Sequence, residues 1–306
     1  MLSYVGLGHG VHVVIGGAFP KCNTLVVVSG DVVVIDPGCP IESLRALLKT
    51  LNLELRDIDT VVLSHIHPDH ITHAVRLNRV SGCRIAANEV TAPLFDDKEK
   101  MKEFLGFTPG QSVRHLWEQL VNDQMYGALD EGRVDEVLHN GDKIALDDIT
   151  LRTFYTKGHL PDHMCLEIME PAYLFAADID CTDFGPFYGH PNSSIVQLKD
   201  SIKSVKERSY NQYISGHLRN PLVQDYRQAL DRYLQHFDRR DELVMKAVAA
   251  GAKSVNEILE HPIIYPSLAG PVMLQFERWM IEHHVESLIR QGKLVESNGH
   301  IFLATS

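Results

Sequence analysis

The densest chemistry in the chain lies in Val61-Val62-Leu63-Ser64-His65-Ile66-His67-Pro68-Asp69-His70, where three imidazoles and a carboxylate crowd into six positions. Neutral imidazole nitrogen and carboxylate oxygen are the ligands that suit zinc and similar divalent ions. In an extended segment residues i and i+2 share a side, so His65 and His67 can converge on one ion. Asp69 and His70 fall where a strand must give way to a helix, and are free to face a second ion. The stretch reads as half of a two-metal site.

Three or four residues cannot enclose two ions, and three later positions supply partners, each at the end of an expected strand. Gly158-His159 follows 151–157, Asp178 follows 174–177, and Gly216-His217 follows 213–215. Strand ends line up along one sheet edge, and such an edge is a rigid place to fix a site.

The elements that must hold these residues are legible from periodicity and turn chemistry. The first 19 residues carry no Lys or Arg and are interrupted by His9, Gly10 and His12, so they read as a strand, not a signal peptide. Residues 25–28 and 32–35 flank a Ser29-Gly30-Asp31 turn and predict a hairpin. Ile41, Leu44, Leu47, Leu48 and Leu51 have helical spacing. A strand over 59–63, a helix over 70–80 and a strand over 84–87 follow. Residues 94–132 break the rhythm as an insertion with helices over 98–104 and 113–125. It is either a lid or pocket wall, or outside packing. Strands are then expected over 134–138, 143–146, 150–155, 165–169 and 173–177, a helix over 194–208, a strand over 212–215, and a helix over 221–237 opened by Pro221.

From residue 241 the texture changes. Helices over 242–250, 255–260 and 271–291 precede segments 293–296 and 300–303 around Asn298-Gly299, a hairpin turn signal. Three helices and a hairpin predict a winged-helix-like domain over 241–306, after a metal-binding domain over 1–240. The segment holds five Lys or Arg and eight Asp or Glu, which argues against DNA binding.

His65-Ile66-His67-Pro68-Asp69-His70, with His159, Asp178 and His217 at these separations, resembles the metallo-β-lactamase fold hydrolase superfamily. Asp36-Pro37-Gly38 and Gly158-His159-Leu160-Pro161-Asp162-His163 resemble its flanking motifs. The resemblance covers roughly residues 10–220, and the C-terminal segment suggests a branch with a winged-helix-like domain. It implies an α/β fold, a four-layer αββα sandwich with metals at one edge. Carried over by position, His65, His67 and His159 bind a first metal, Asp69, His70 and His217 a second, and Asp178 bridges them. Zinc is the leading ion; iron or manganese, or one ion instead of two, are alternatives. In many relatives small residues follow the Asp-His pair, where this chain has Ile71-Thr72-His73, and Ala177 replaces the usual glycine before the bridging aspartate. His163 matches a recurrent position that is not a ligand.

Two such ions can hold a bridging hydroxide that attacks an acyl or phosphoryl centre. Asp69 is the candidate catalytic group, orienting the hydroxide and passing its proton to the leaving group. The site's positive charge favours a small anionic substrate. The leading expectation is hydrolysis of an ester-like substrate, a thioester or lactone. The alternatives are a metal-dependent ribonuclease or phosphodiesterase, and a non-hydrolytic iron oxygenase or ligand sensor. Asp180, Asp183, Tyr188 and His190 lie in the loop after Asp178 and are expected to wall the pocket, with Phe184, Phe187 and Tyr188 packing an acyl group. Lys199, Lys203 and Lys206 share one helix face, for a substrate anion or for solvent. The apolar stretch 261–271 is expected either to fold over the site or to form a homodimer contact.

Composition narrows the classes. The chain has 306 residues, 44% of them hydrophobic, and a formal net charge of −11. Nucleic-acid binding needs dense Lys and Arg, so this balance counts against the nuclease alternative. Five cysteines without a C-x-x-C pair fit a reducing cytoplasm. No apolar run is long enough to span a membrane.

Overall fold

Alternating valines decide how the first half folds. Strands β3 (Thr24–Ser29) and β4 (Asp31–Ile35) follow β1 (Tyr4–Gly8) and β2 (Val11–Val14) and pair antiparallel, with Val26 opposite Val34 and Val27 opposite Val33. Side chains alternate across a strand. Val26 and Val34 therefore enter one apolar core, while Leu25, Val27, Val33 and Ile35 enter another. A sheet buried on both faces needs a layer on each side.

The computed structural model describes residues 3–17, 21–124, 130–267 and 270–304. Met125 of the expected second insertion helix, residues 126–129 and Leu268-Ala269 of the apolar stretch lie outside them, as do residues 1, 2, 18 and 19 of the expected first strand and residue 20. Among the described residues one sheet runs β1 to β7 in chain order, with β5 (Thr60–Leu63), β6 (Arg84–Asn88) and β7 (Glu136–Leu138) added parallel to β4. The second contains β8 (Lys143–Ala145), β9 (Thr150–Tyr155), β10 (Met164–Ile168), β11 (Tyr173–Phe175) and β12 (Gln212–Ile214), in the order β12-β11-β10-β9-β8. The sheets face each other through Leu25, Val27, Val33, Val62, Leu151, Leu166, Phe175 and Ile214.

Helices α1 (Ile41–Thr50), α2 (Pro68–Ile71), α3 (Ala74–Ser81), α4 (Thr91–Phe95), α5 (Lys98–Phe104) and α6 (Ser112–Gln124) belong to the first half of the chain. Leu44, Leu48, Leu77, Leu94, Met101 and Trp117 from this set fill the core outside the first sheet. Helices α7 (Ile195–Glu207) and α8 (Tyr226–Ala249) cover the second sheet through Leu198, Ile202, Leu230 and Tyr233. Three stacked cores make the expected four-layer αββα sandwich. Helices α9 (Val255–Ile258) and α10 (Pro271–Arg290), with the hairpin β13 (Leu294–Ser297) and β14 (His300–Leu303), surround a fourth core that includes Val244, Ile258, Ile281, Leu288, Leu294 and Ile301. No helix among the described residues is long and apolar enough to cross a membrane.

Several expected elements differ in the structure. The single N-terminal strand is two, because Gly8, His9 and Gly10 all take positive φ and turn the chain. The helix expected over 70–80 is α2 and α3, parted at Thr72-His73. Helix α4 is an addition to the expected elements; a proline at its third residue hides a short helix from a propensity reading. The helices expected over 221–237 and 242–250 are one continuous helix, and Pro221 does not open it. The cap is Asp225, and Leu222 instead bridges to Ile214. Between the two expected helices Arg240 and Asp241 are buried and bonded, so the chain stays helical through them. The expected domain boundary after residue 240 falls inside this helix.

Asn23 joins the two sheets at the edge where the candidate residues lie. Its amide donates to Ser215 O and Leu218 O, both at 2.9 Å, and its carbonyl accepts from Gly16 N at 2.9 Å. Its backbone N–H also donates to Gly216 O at 2.6 Å. Asn23→Ala strands three polar groups at this edge, and is expected to cost about 2–4 kcal/mol of stability in chemical denaturation. An unchanged denaturation midpoint would show that the sheets are not joined here.

Candidate metal centre

Parallel pairing brings the candidate residues to one edge. β4 and β5 run the same way in the first sheet. In the second, β9 and β11 each oppose β10, and β12 runs with β11. All five strands therefore end at the same edge, delivering Asp36 after β4, the His65–His70 segment after β5, His159 after β9, Asp178 after β11 and His217 after β12.

Among the described residues three overlapping groups of ligand-type atoms form there; one is Asp36, His65 and His70, and the other two carry the candidate metal chemistry. His65, His67, His159 and Asp178 each offer an atom within 4.8 Å of the others, and so do Asp69, His70 and His217. In the first set Asp178 Oδ2 lies 3.2 Å from His159 Nε2, 3.7 Å from His67 Nδ1 and 3.8 Å from His65 Nε2. In the second, Asp178 Oδ1 lies 2.9 Å from His70 Nε2 and 3.2 Å from His217 Nε2, and Asp69 Oδ2 lies 3.7 and 3.6 Å from the same two nitrogens. A tetrahedral ion with ligands ~2.0–2.1 Å away sets its ligand atoms ~3.3 Å apart. The donor set fits divalent metals at both places, and the two oxygens of Asp178 face different sets.

The outer nitrogens fix where the ring protons sit. His70 Nδ1 lies 2.7 Å from Asp36 Oδ2, so it carries a proton there and the ring turns Nε2 toward the second set. His159 Nδ1 donates to Phe187 O at 2.9 Å and leaves Nε2 bare toward the first. Ser64 Oγ donates to Asp36 Oδ2 at 2.6 Å, so it accepts from His65 Nδ1 at 2.9 Å. His65 Nε2 is then a bare, buried nitrogen with no hydrogen-bond partner. A buried lone pair without a partner is costly, and a cation satisfies it.

Electrostatics separates the two sets. Burial keeps His65 and His159 well below the ordinary imidazole pKa, so both are neutral, the form that binds metal. Burial opposes charge on His70 and His217 too, but Cys22, Asp178, Asp69 and Asp36 outweigh it at His70, raising it well above its usual value, and Asp178 and Asp69 raise His217 to about 9. Burial would raise Asp178, and the surrounding imidazoles hold it well below the carboxylate range. The carboxylate-rich second set draws in positive charge, as protons or as a cation.

Three buried side chains brace the segments. The Asp36 carboxylate is inaccessible to solvent and accepts from Ser64 N at 2.8 Å, Ser64 Oγ and His70 Nδ1. Asp162 Oδ2 accepts from Ile66 N at 2.8 Å and Thr91 Oγ1 at 2.9 Å, pinning the turn between His65 and His67. His163 Nε2 accepts from Asp178 N at 3.1 Å. Two glycines allow close approaches. A Cβ on Gly38 would stand 1.6 Å from Asp69 O, and one on Gly158, at φ +124°, 2.1 Å from Leu198 N.

The structure brings all seven expected residues, His65, His67, Asp69, His70, His159, Asp178 and His217, to this edge. Other expectations change. Tyr188 and His190 do not wall an open pocket: both are buried, Tyr188 against His284 and Arg240, and His190 behind His67. Phe187 is half-buried, its ring 5.9 Å from that of His159 and 6.2 Å from that of His67. Lys199 and Lys206 pair with Asp238 and Asp231 of α8, and Lys203 with Asp200. Sequence reasoning quoted Asp36 and Asp162 only as parts of flanking motifs. Their position directly after a strand in the first case, and three residues after His159 in the second, was the available signal. The Phe187 carbonyl had none, since any residue supplies one.

Residues 18–217 match the family model described as the metallo-beta-lactamase superfamily. The chain is 23% identical to an uncharacterized protein of Aquifex aeolicus over 58% of this chain and 72% of that protein. It is 23% identical to a beta-lactamase-like protein 2 homolog of Caenorhabditis elegans over 71% of this chain, spanning 61% of that relative's length. A crystal structure of a metallo-beta-lactamase family protein from Thermus thermophilus superimposes with a TM-score of 0.75 at 18% identity, covering 97% of this chain and 100% of the other. A beta-lactamase domain protein from Burkholderia ambifaria gives 0.72 at 17% identity, covering 98% and 93%. At these identities the structural likeness concerns the fold. With strands, edge and ligand-type cluster all in place, the chain belongs to the metallo-beta-lactamase superfamily, whose members are generally metal-dependent hydrolases.

Proposed function

We propose that the protein is a dinuclear metal-dependent hydrolase of a small, anionic, ester-like substrate, a thioester or a lactone. The observation that carries this reading is the position of Asp178, with one oxygen toward each set of ligand atoms. His65, His67 and His159 would hold the first ion and Asp69, His70 and His217 the second, with Asp178 offering one oxygen to each set. When bound, divalent ions, zinc first, supply Lewis acidity and a lowered water pKa.

The chain's own residues do the rest. Asp69 takes the proton of the attacking water and returns it to the sulfur or oxygen that leaves as the acyl bond breaks. One water is consumed, and an acid and a thiol, or a hydroxy acid, are the products. Phe187 gives an apolar wall beside His67 and His159 for the acyl portion. Asp36 holds the His70 ring so that Nε2 faces inward. The net charge of −11 weighs against a nucleic-acid substrate. We read the segment after α8 as winged-helix-like, its role being support of the site.

Stripping metal with a chelator is expected to abolish hydrolysis of an acyl-thioester and lactone panel, with recovery on adding zinc or manganese. Equal rates for stripped and loaded protein would end the metal reading, and inactivity across the panel of a fully loaded protein would end the substrate reading. Asp69→Asn is expected to lower kcat about 10²–10⁴-fold in steady-state assays on metal-saturated enzyme; a full rate would remove Asp69 from the chemistry. Asp36→Ala leaves three donors facing an empty buried space. It is expected to cost about 3 kcal/mol in denaturation and about 10–100-fold in metal affinity by competition titration, and wild-type affinity would contradict its role.

A further inference from the structure

Phe187 stands between the candidate metal edge and the C-terminal helix. Its ring lies 5.9 Å from that of His159 and 6.2 Å from that of His67 on the metal side, and 5.4 Å from that of Phe276 of α10. Phe276 in turn meets the rings of His190 at 5.5 Å, Phe107 at 6.1 Å and Trp279 at 6.3 Å. His190, Phe107 and Trp279 are buried, but Phe187 and Phe276 are both left half-buried. Hydrocarbon side chains gain nothing from contact with water. Two adjoining half-exposed rings that begin at the ligand-type cluster make a short apolar track with one polar end, which is the composition of a small-molecule site.

The track is set in place by the protein itself. A Cβ on Gly189 would stand 2.6 Å from the Phe187 ring and 3.2 Å from Phe276 Cβ, so the missing side chain there lets the two phenylalanines meet. The loop that carries Phe187 is clamped from both sides by α8 and α10. His283 Nε2 donates to His190 O at 2.7 Å. The Tyr188 hydroxyl lies 2.6 Å from His284 Nε2, whose Nδ1 lies 2.6 Å from Asp241 Oδ1. Arg240 donates to Phe184 O and Pro186 O at 2.6 and 2.7 Å. Walls fixed in advance leave less ordering cost for a ligand to meet.

We propose that Phe187 and Phe276 together form a subsite for a straight acyl chain, and that Phe276, carried by the C-terminal helix α10, is its end wall and sets the chain length accepted. The chain lies with its carbonyl at the metal edge, its middle along Phe187 and its methyl end toward Phe276. Phe187 alone would serve a compact ring, whereas the extension to Phe276 selects a chain. Burying one methylene is worth about fourfold in affinity. Affinity therefore climbs with chain length until the chain reaches Phe276, and methylenes beyond that point add nothing. The direction in which the chain lies rests on the hydrolase reading above; the apolar subsite itself does not.

The probes are straight-chain carboxylates from acetate to dodecanoate, titrated into the full chain with zinc added while the ring resonances of Phe187 and Phe276 are followed by NMR. In wild type the affinity is expected to rise by up to about fourfold per methylene and then level off, with both rings shifting. Phe276→Ala is expected to move the plateau to longer chains, and Phe276→Trp to shorter ones. Should the alanine variant fail to fold, the tryptophan variant carries the same test in the opposite direction. Affinity independent of chain length in wild type overturns the proposal, as does binding that leaves both rings unperturbed. An unchanged plateau in folded variants removes Phe276 as the end wall and overturns it too. Matching acyl thioesters are then assayed for hydrolysis. Chain-dependent binding at the rings without turnover of any thioester removes the hydrolase reading and leaves the subsite standing.

Discussion

The structure depends on holding the inner ring nitrogens of His65 and His159 bare toward a small desolvated volume. Five imidazoles and two carboxylates converge between the strand ends, and an inward-pointing N–H on any first-set ring would occupy the lone pair that an ion needs. The chain solves this from outside the volume. Asp36 draws the His70 proton outward and, through Ser64, that of His65. The Phe187 carbonyl does the same for His159. Reactivity at the edge is thus set by acceptors that never face it.

That constraint explains where the backbone is unusual. Asp36 and Ala177 hold positive φ without being glycine, immediately after β4 and before Asp178. Such conformations cost of order 1 kcal/mol or more each and persist where surroundings over-determine them. Here the Asp36 carboxylate has three donors around it, and the Asp178 N–H is held by His163. Parallel strands bring side chains to a common edge, and these local distortions turn them to face one another.

The ligand-type residues were legible because their types and spacing are unusual: His65, His67, Asp69 and His70 within six positions, and His159, Asp178 and His217 each after an apolar strand. The layers were legible from the alternation in β3 and β4. What stayed hidden depends on contacts between distant segments. Nothing around His283 or His284 announces a link to the loop at 184–190, and they read as ordinary histidines. The continuity of α8 through Arg240 and Asp241 was hidden too, because the loop carbonyls of Phe184 and Pro186 and the α10 imidazole of His284 that let them be buried come from distant segments. The open-wall reading of Tyr188 and His190 failed similarly, since sequence shows that the loop starts at the metal edge but not which way its side chains turn.

The continuity of α8 has a mechanical consequence. A helix of 24 residues is about 36 Å long and resists bending. Its first half lies under the second sheet, where the Tyr233 hydroxyl bonds Asp180, and its second half contributes Val244, Ala247 and Val248 to the C-terminal core. Two bodies that share a stiff rod have no hinge along it. Load applied at the terminal hairpin travels along α8 and α10 into the loop beside the metal edge instead of dissipating in a linker, so the hairpin end acts as a handle on the site.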